Sequence, residues 1–354
     1  MTSKRMTMRD VAELAGVSTP TVSKVLVGNL EISGVTRARV LQAMERTGYD
    51  ARFVKRQPKG SIALVIDGID SLWALKVVQG TEGAAASLGY SVVVSSTHHG
   101  TVGPRDWLRR ILQQRPDGVV AALTKLNPET LRSLRSLRSL GMPVVVVEPV
   151  RGFDPSVPTI SATNWLGGLT ATEHLLALGH RRIGIITGPE EVLSSQERLD
   201  GHLAALRRHK VPVAEELIRR GDFLVGGGRA ASAELLKLKP PPSAVFAAND
   251  LHAAGVYEEA ACRSLRIPED LSVVGFDDVA LCEFLSPKLM TVRLPIIEMA
   301  DQAVKLVHEL VGTRKTWEGP MIQLSTTLIV RSSTGPATKP RNGCGRAMSR
   351  RDRC

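Results

Sequence analysis

The sequence predicts an α/β protein made of a small all-helical head and a two-lobed, doubly wound core. Three observations predict it. Residues 7–48 hold three short patterns with apolar residues at helical spacing and no strand between them. From Ile62 onward, short β-branched runs alternate with helical stretches, as in a parallel sheet covered on both faces. The alternation runs on to residue 331, longer than one doubly wound domain needs, and Gly152–Pro158 reads as a crossing between two halves.

In the head, Thr7 and Asp10 are placed to cap a first helix, with Val11, Leu14 and Ala15 as its apolar face. Gly16 can adopt the left-handed conformation that ends it. Ser18 caps a second helix, and Pro20 falls in its first turn, where an amide has no partner to lose. Val22, Val25 and Leu26 face inward. Two short helices joined through a glycine turn form a helix-turn-helix, whose second helix enters the major groove of DNA. Ser18, Thr19, Pro20, Thr21, Ser23 and Lys24 lie at its exposed start, and hydroxyls with one cation suit base edges and phosphates. Ser33 caps a third helix with Val35, Val40 and Met44 inward.

Residues 50–60 form a hinge or linker with four cations, Arg52, Lys55, Arg56 and Lys59, closed by Pro58 and Gly60. The body's strands are expected at Ile62–Asp67, Ser91–Ser95, Gly118–Ala122, Val144–Glu148, Ile183–Thr187, Ala244–Ala247 and Ser272–Phe276. Helices are expected at Trp73–Leu88, Arg105–Gln114, Pro128–Leu140, Trp165–Leu178, Glu197–His209, Arg229–Leu236 and His252–Leu265. The division is therefore 1–49 head, 50–60 linker, 61–331 two-lobed body and 332–354 a disordered basic tail.

Charge is segregated in the same way. Of the net +11, residues 1–60 carry +6 and residues 331–354 another +6, leaving the middle at −1. This is a polyanion-binding head on a body that does something else. The longest apolar stretches, such as Val144–Val147, cannot span a bilayer, and the N-terminus lacks an apolar signal region. The four cysteines show no metal-type spacing, which fits a reducing cytoplasm and excludes a disulfide scaffold or zinc module. Gly226-Gly-Gly228 lacks the dinucleotide spacing and no phosphate-binding P-loop occurs. His98-His99 has no spaced carboxylates, and His174 and His180 are wrongly spaced for one helical face. No cofactor, metal or catalytic group is expected. A sugar-transport component or an α/β enzyme is the competing class, and the helical head counts against both.

The stretch from Asp10 to Leu26, with Ile32-Ser33 and Thr47-Gly48-Tyr49 after it, resembles the lactose-repressor (LacI/GalR) family of bacterial regulators. The likeness continues through Leu178–Gly184, Arg198–Gly201, Ala248–Asp250, Ile267–Asp278 and Leu289–Arg293. It implies a DNA-binding head joined by a hinge helix to a periplasmic-binding-protein-like core that forms a homodimer on operator DNA. The family's hinge carries a leucine that wedges into the minor groove, and the matching position here is Pro58. Either Val54 or Phe53 supplies the wedge, or the operator is bent less, with Arg52, Lys55 and Arg56 on phosphates.

The resemblance also places residues around an effector. Trp73, at a strand's carboxyl end, suits stacking on a sugar ring. Asn164 falls at a polar ligand contact, and Arg198 offers a planar fork of donors. Phe223 would line a wall, and Asn249 and Asp277 end two strands with acceptors for hydroxyls. The effector is expected to be a small sugar or glycoside held in a cleft between lobes, and the Ala162–Gly168 stretch is similar to regulators of xylose or xyloside use.

Overall fold

The computed structural model describes residues 7–26, 32–47, 60–69, 71–97, 104–123, 128–149, 156–311, 317 and 319–337. The hinge residues Arg52, Phe53, Val54, Lys55, Arg56 and Pro58, the pair His98-His99 and the tail from 338 onward lie outside them.

The head is three helices, α1 (Met8–Ala15), α2 (Thr19–Leu26) and α3 (Gly34–Thr47). Thr7 and Asp10 form a reciprocal capping box, and Gly16 ends α1 at φ 62°. The Ser18 hydroxyl accepts from the Thr21 amide at 3.3 Å and meets the Thr21 hydroxyl at 2.8 Å. Val11, Ala12, Ala15, Val22, Val25, Val40 and Ala43 form the core. Each fully buried valine contributes about 1.5–3 kcal/mol, which a head this small needs. Two expected core positions are corrected. Leu14 is 44% exposed and Val35, in the first turn of α3, is 73% exposed; Ala12 and Ala43 take the inward places. Two crossing helices leave room at their closest approach only for small side chains.

The chain divides into two compact units, the first including the head and the second comprising, among the described residues, 148–149, 161–296 and 322–337. The chain passes between the units within 147–161 and again at 296–297 and 321–322. In the first unit, β1 (Ser61–Ile66), α4 (Leu72–Ser87), β2 (Ser91–Ser96), α5 (Pro104–Gln114), β3 (Gly118–Ala122), α6 (Pro128–Ser139), β4 (Val144–Val147) and β5 (Thr159–Ala162) follow in order. The first sheet pairs its strands in parallel in the order β2-β1-β3-β4-β5, and β11 (Ile322–Leu324), from the segment that returns to the second unit, follows β5 in the sheet order. Alternation sends Ala63 and Val65 to one face of β1, where α5 and α6 cover them with Trp107, Ile111, Leu134 and Leu137. A Cβ on Gly80 of α4 would overlap Ile297 and Ala300 of α12 (Ile296–Leu310), so these two helices pack backbone to backbone.

The second unit repeats the plan with α7 (Asn164–Ala177), β6 (Ile183–Thr187), α8 (Leu193–Arg208), β7 (Ile218–Arg220), α9 (Val225–Leu235), β8 (Ala244–Ala247), α10 (Asp250–Cys262) and β9 (Ser272–Asp277). A short helix, α11 (Leu281–Phe284), precedes β10 (Met290–Arg293), and β12 (Thr327–Ile329) closes the edge. The order is β12-β10-β9-β8-β6-β7, parallel except for the β10–β12 pair. In both sheets the strand that comes first in the chain, β1 or β6, sits between the next two. This creates a switch point at the carboxyl ends of β1 and β3, and again of β6 and β8.

Several boundaries move. Helices α8 and α9 begin four residues before the expected Glu197 and Arg229, and α9 does so through Gly226–Gly228, because Gly228 lies against the His252 backbone where no side chain fits. The tail boundary at 332 is also corrected. Ser333 is buried, donating to the Val273 carbonyl at 2.6 Å and accepting from the Met290 amide at 2.8 Å, and the described chain stays packed to Ala337.

Candidate functional site

On the head, Ser18, Thr19, Pro20 and Lys24 are exposed and Thr21 and Ser23 half-buried, with Ser18 to Thr21 at the start of α2 and Lys24 in its last turn. The core valines hold this surface rigid, and α2 offers no acidic residue to repel a phosphate.

In the second unit, side chains converge at the carboxyl ends of β6, β8 and β9. The geometry starts with glycines. A Cβ on Gly168 of α7 would overlap the Arg198 carbonyl, and one on Gly201 of α8 would overlap the Trp165 carbonyl. The two helices therefore approach to backbone contact, which brings Asn164 and Arg198 together. Arg198 Nε donates to Asn164 Oδ1 at 3.0 Å, and Nη1 donates to the Ala248 carbonyl at 2.6 Å. Nη1 also lies 3.3 Å from Asp277 Oδ1, and the guanidinium covers the Phe276 ring at 3.8 Å. Only 4% of Arg198 is exposed, so the arginine belongs to a buried network rather than a surface ion pair. Among the described residues, no protein group accepts a hydrogen bond from its Nη2.

Asp277 has φ 104°, and Asp278 follows at φ 54°. Such conformations cost about 1–3 kcal/mol in a non-glycine residue and persist only where the surroundings enforce them. Here Arg198 holds Asp277, while Arg293 and Arg331 grip Asp278 at 2.7 and 2.8 Å. Those two arginines outweigh burial and hold the Asp278 carboxyl below its usual range. Asp278 is thus a structural anchor, and among the described residues no group of three His, Cys, Asp or Glu could hold a metal ion.

Two carboxylates join this network. Glu148, buried directly after β4, accepts from the Asn164 side-chain amide at 3.2 Å, the Ala162 amide at 3.2 Å and the Ser161 hydroxyl at 3.3 Å. Burial raises its pKa against the pull of Arg198 and these donors. Glu197 is pushed up to about 7, first by burial and then by the Glu148 charge. Residue spacing gave no sign that positions 148 and 197 meet. One signal was readable for Glu148: a charged residue at the carboxyl end of a four-valine buried strand.

Asn249 caps α10, its Oδ1 accepting from the His252 amide at 2.8 Å while Nδ2 donates to the Phe223 carbonyl at 3.0 Å. Phe223, at φ 67°, donates its amide to His252 Nε2 at 2.8 Å and stacks on that imidazole with centroids 5.6 Å apart. The bond fixes His252 as neutral, and burial lowers its pKa to about 4. Gly188 leaves the space the Phe223 ring fills. Asn249 and His252 therefore position Phe223. Trp73 stands in the first unit, half-buried in the first turn of α4, which Ser71 caps.

A helix-turn-helix head on a body of two doubly wound units, one lined by fixed polar groups at its strand ends, defines a ligand-controlled DNA-binding regulator. Residues 7–51 match the bacterial regulatory proteins of the lacI family, and residues 172–334 match a periplasmic binding protein-like domain. The chain is 33% identical to the HTH-type transcriptional repressor CytR of Escherichia coli K12, over 93% of this chain and 96% of that one. It is 32% identical to the ribose operon repressor of the same strain, over 92% and 99%. Among solved structures, the transcriptional regulator CelR–cellobiose complex matches with a TM-score of 0.72 at 30% identity, covering 93% of this chain and 100% of that one. The chain belongs to the lacI family of bacterial regulatory proteins. It is a DNA-binding repressor under ligand control, its named relatives are repressors rather than enzymes, and no described helix is long and apolar enough to cross a membrane.

Proposed function

We propose that the effector is a small neutral sugar or glycoside, and that Arg198, Asp277, Glu148 and Asn164 hold its hydroxyls in the second unit. One observation carries this reading: a buried guanidinium fixed by an amide, a carbonyl, a carboxylate and a ring, with Nη2 left for a ligand oxygen. Phe223 supplies an apolar wall and Asn249 holds it in place. The chain acts in the cytoplasm as a homodimer on a two-fold operator. Ser18, Thr19, Pro20, Thr21, Ser23 and Lys24 face the major groove, and Arg52, Val54, Lys55 and Arg56 run along the hinge.

A ligand shifts the balance between operator-bound and free states only by its difference in affinity for the two. The test is operator binding on the promoter of the chain's own gene across titrations of pentoses, xylosides, hexoses, disaccharides and nucleosides. Cellobiose and ribose belong in the panel because two solved relatives hold them. One neutral sugar is expected to change operator affinity, and Arg198→Lys to weaken that response at least tenfold by losing the planar fork. A response to no sugar, or an unchanged response in Arg198→Lys, overturns the assignment.

A further inference from the structure

The body carries a charge asymmetry that neither the head nor the effector network uses. Residues 61–330 sum to −1, yet α5 and α6 hold six arginines against Asp106 and Glu129. Helix α6 contains Leu-Arg-Ser three times in succession from Leu131 to Ser139. The period of three sends Leu134 and Leu137 into the core and leaves Arg132 and Arg135 on the outside. Both helices cover the same face of the first sheet through Trp107, Ile111, Leu134 and Leu137, so their outer sides form one surface.

That surface is presented by Arg109, Arg110, Gln113, Gln114 and Arg115 from α5 and its C-terminal end, and by Arg132, Arg135, Ser136 and Ser139 from α6. Among the described residues, Arg110, Arg115, Arg132 and Arg135 have no ion-pair partner. Like charges three residues apart on a helix repel, so the stripe works against α6 unless an anion covers it. Among the described residues of these two helices, no large hydrophobic side chain is exposed. A protein partner would need an apolar anchor there. Arginine with serine and glutamine and no apolar centre is instead the composition that contacts nucleic-acid phosphates.

We infer that the outer face of α5 and α6 is a second, sequence-independent DNA-binding surface that holds the duplex flanking the operator by its phosphates. It works beside the head, supplying affinity without base recognition. It is also independent of the effector assignment.

The experiment compares full-length protein on two duplexes sharing one operator, the first ending at its borders and the second extending about 30 bp on either side. Affinity is measured against salt for wild type, for the variant Arg110→Ala/Arg115→Ala/Arg132→Ala/Arg135→Ala, and for its four-lysine counterpart. Each phosphate neutralised contributes about 0.9 to the slope of log affinity against log salt, so four contribute about 3.6 per protomer and about twice that for a dimer flanked on both sides. Wild type is expected to show a steeper slope on the long duplex. The alanine variant is expected to lose that excess and match wild type on the short duplex, while the lysine variant retains it. Equal wild-type slopes on the two duplexes, an alanine variant that keeps the excess, or equal losses on both duplexes overturns the inference. Selective loss on an acidic protein partner, with the DNA slopes unchanged, overturns it in favour of a protein-docking surface.

Discussion

Arg198→Ala tests the buried network directly. The arginine is 4% exposed and neutralises Asp277 at 3.3 Å while facing Glu148, which burial already disfavours as an anion. Removing one member of such a pair leaves an uncompensated buried charge, at about 3–5 kcal/mol. For a unit of this size, about 2–4 °C of melting temperature accompanies each kcal/mol, so the fall is roughly 6–20 °C. Loss of stability and loss of effector response are therefore mixed in this variant, which is why the effector test uses Arg198→Lys. Adding Asp277→Asn to Arg198→Ala removes the orphaned charge and is expected to recover part of the loss. Differential scanning calorimetry of the three proteins at pH 7.5 reads this out. A melting temperature for Arg198→Ala within 2 °C of wild type would refute the reasoning, because the carboxylates would then not depend on the guanidinium.

Gly201→Ala drives a methyl into the Trp165 carbonyl and is expected to cost about 1–3 kcal/mol in urea titration, whereas Gly83→Ala, with open space around it, gains about 0.4–1 kcal/mol. His202 and His252 are buried neutral, with pKa values lowered by burial to about 3 and about 4, so between pH 6.5 and 4 the unfolded chain binds protons that the native chain refuses. Each histidine by itself then removes about 2 kcal/mol as pH falls from 7.5 to 5. Glu197 and Asp250, raised to about 7 and about 6, work against this over the same window, so the test compares denaturant midpoints of wild type and His202→Gln at the two pH values, and a pH-independent difference between them would contradict the burial argument. Glu197 acts in the opposite sense, because its raised pKa stabilises below pH 4.5 and that contribution is lost as pH rises through about 7. Lys24→Ala is expected to weaken operator binding by about 1–3 kcal/mol if the cation reads a base; an equal loss on random DNA assigns it to phosphate alone.

Local chemistry alone determines the head. The Thr7–Asp10 capping box, the left-handed Gly16 and the Ser18 cap are interactions within three or four residues, and each occurs as the sequence implies. The alternation of strand and helix was legible for the same reason, since periodicity is a local property. The inward faces were only partly legible. Val35 and Leu14 fit the helical period yet point to solvent, because which side of a helix is inside depends on where its neighbours cross. The four-residue β5 and three-residue β7 were too short to stand out, and they exist through pairing with β4 and β6. In the buried polar network of the second unit, Asn164, Arg198 and Asp277 could be named from the sequence. Their union with one another and with Glu148 and Glu197 was decided by tertiary structure, through glycines that let α7 and α8 touch and a sheet order that gathers distant strand ends at one switch point.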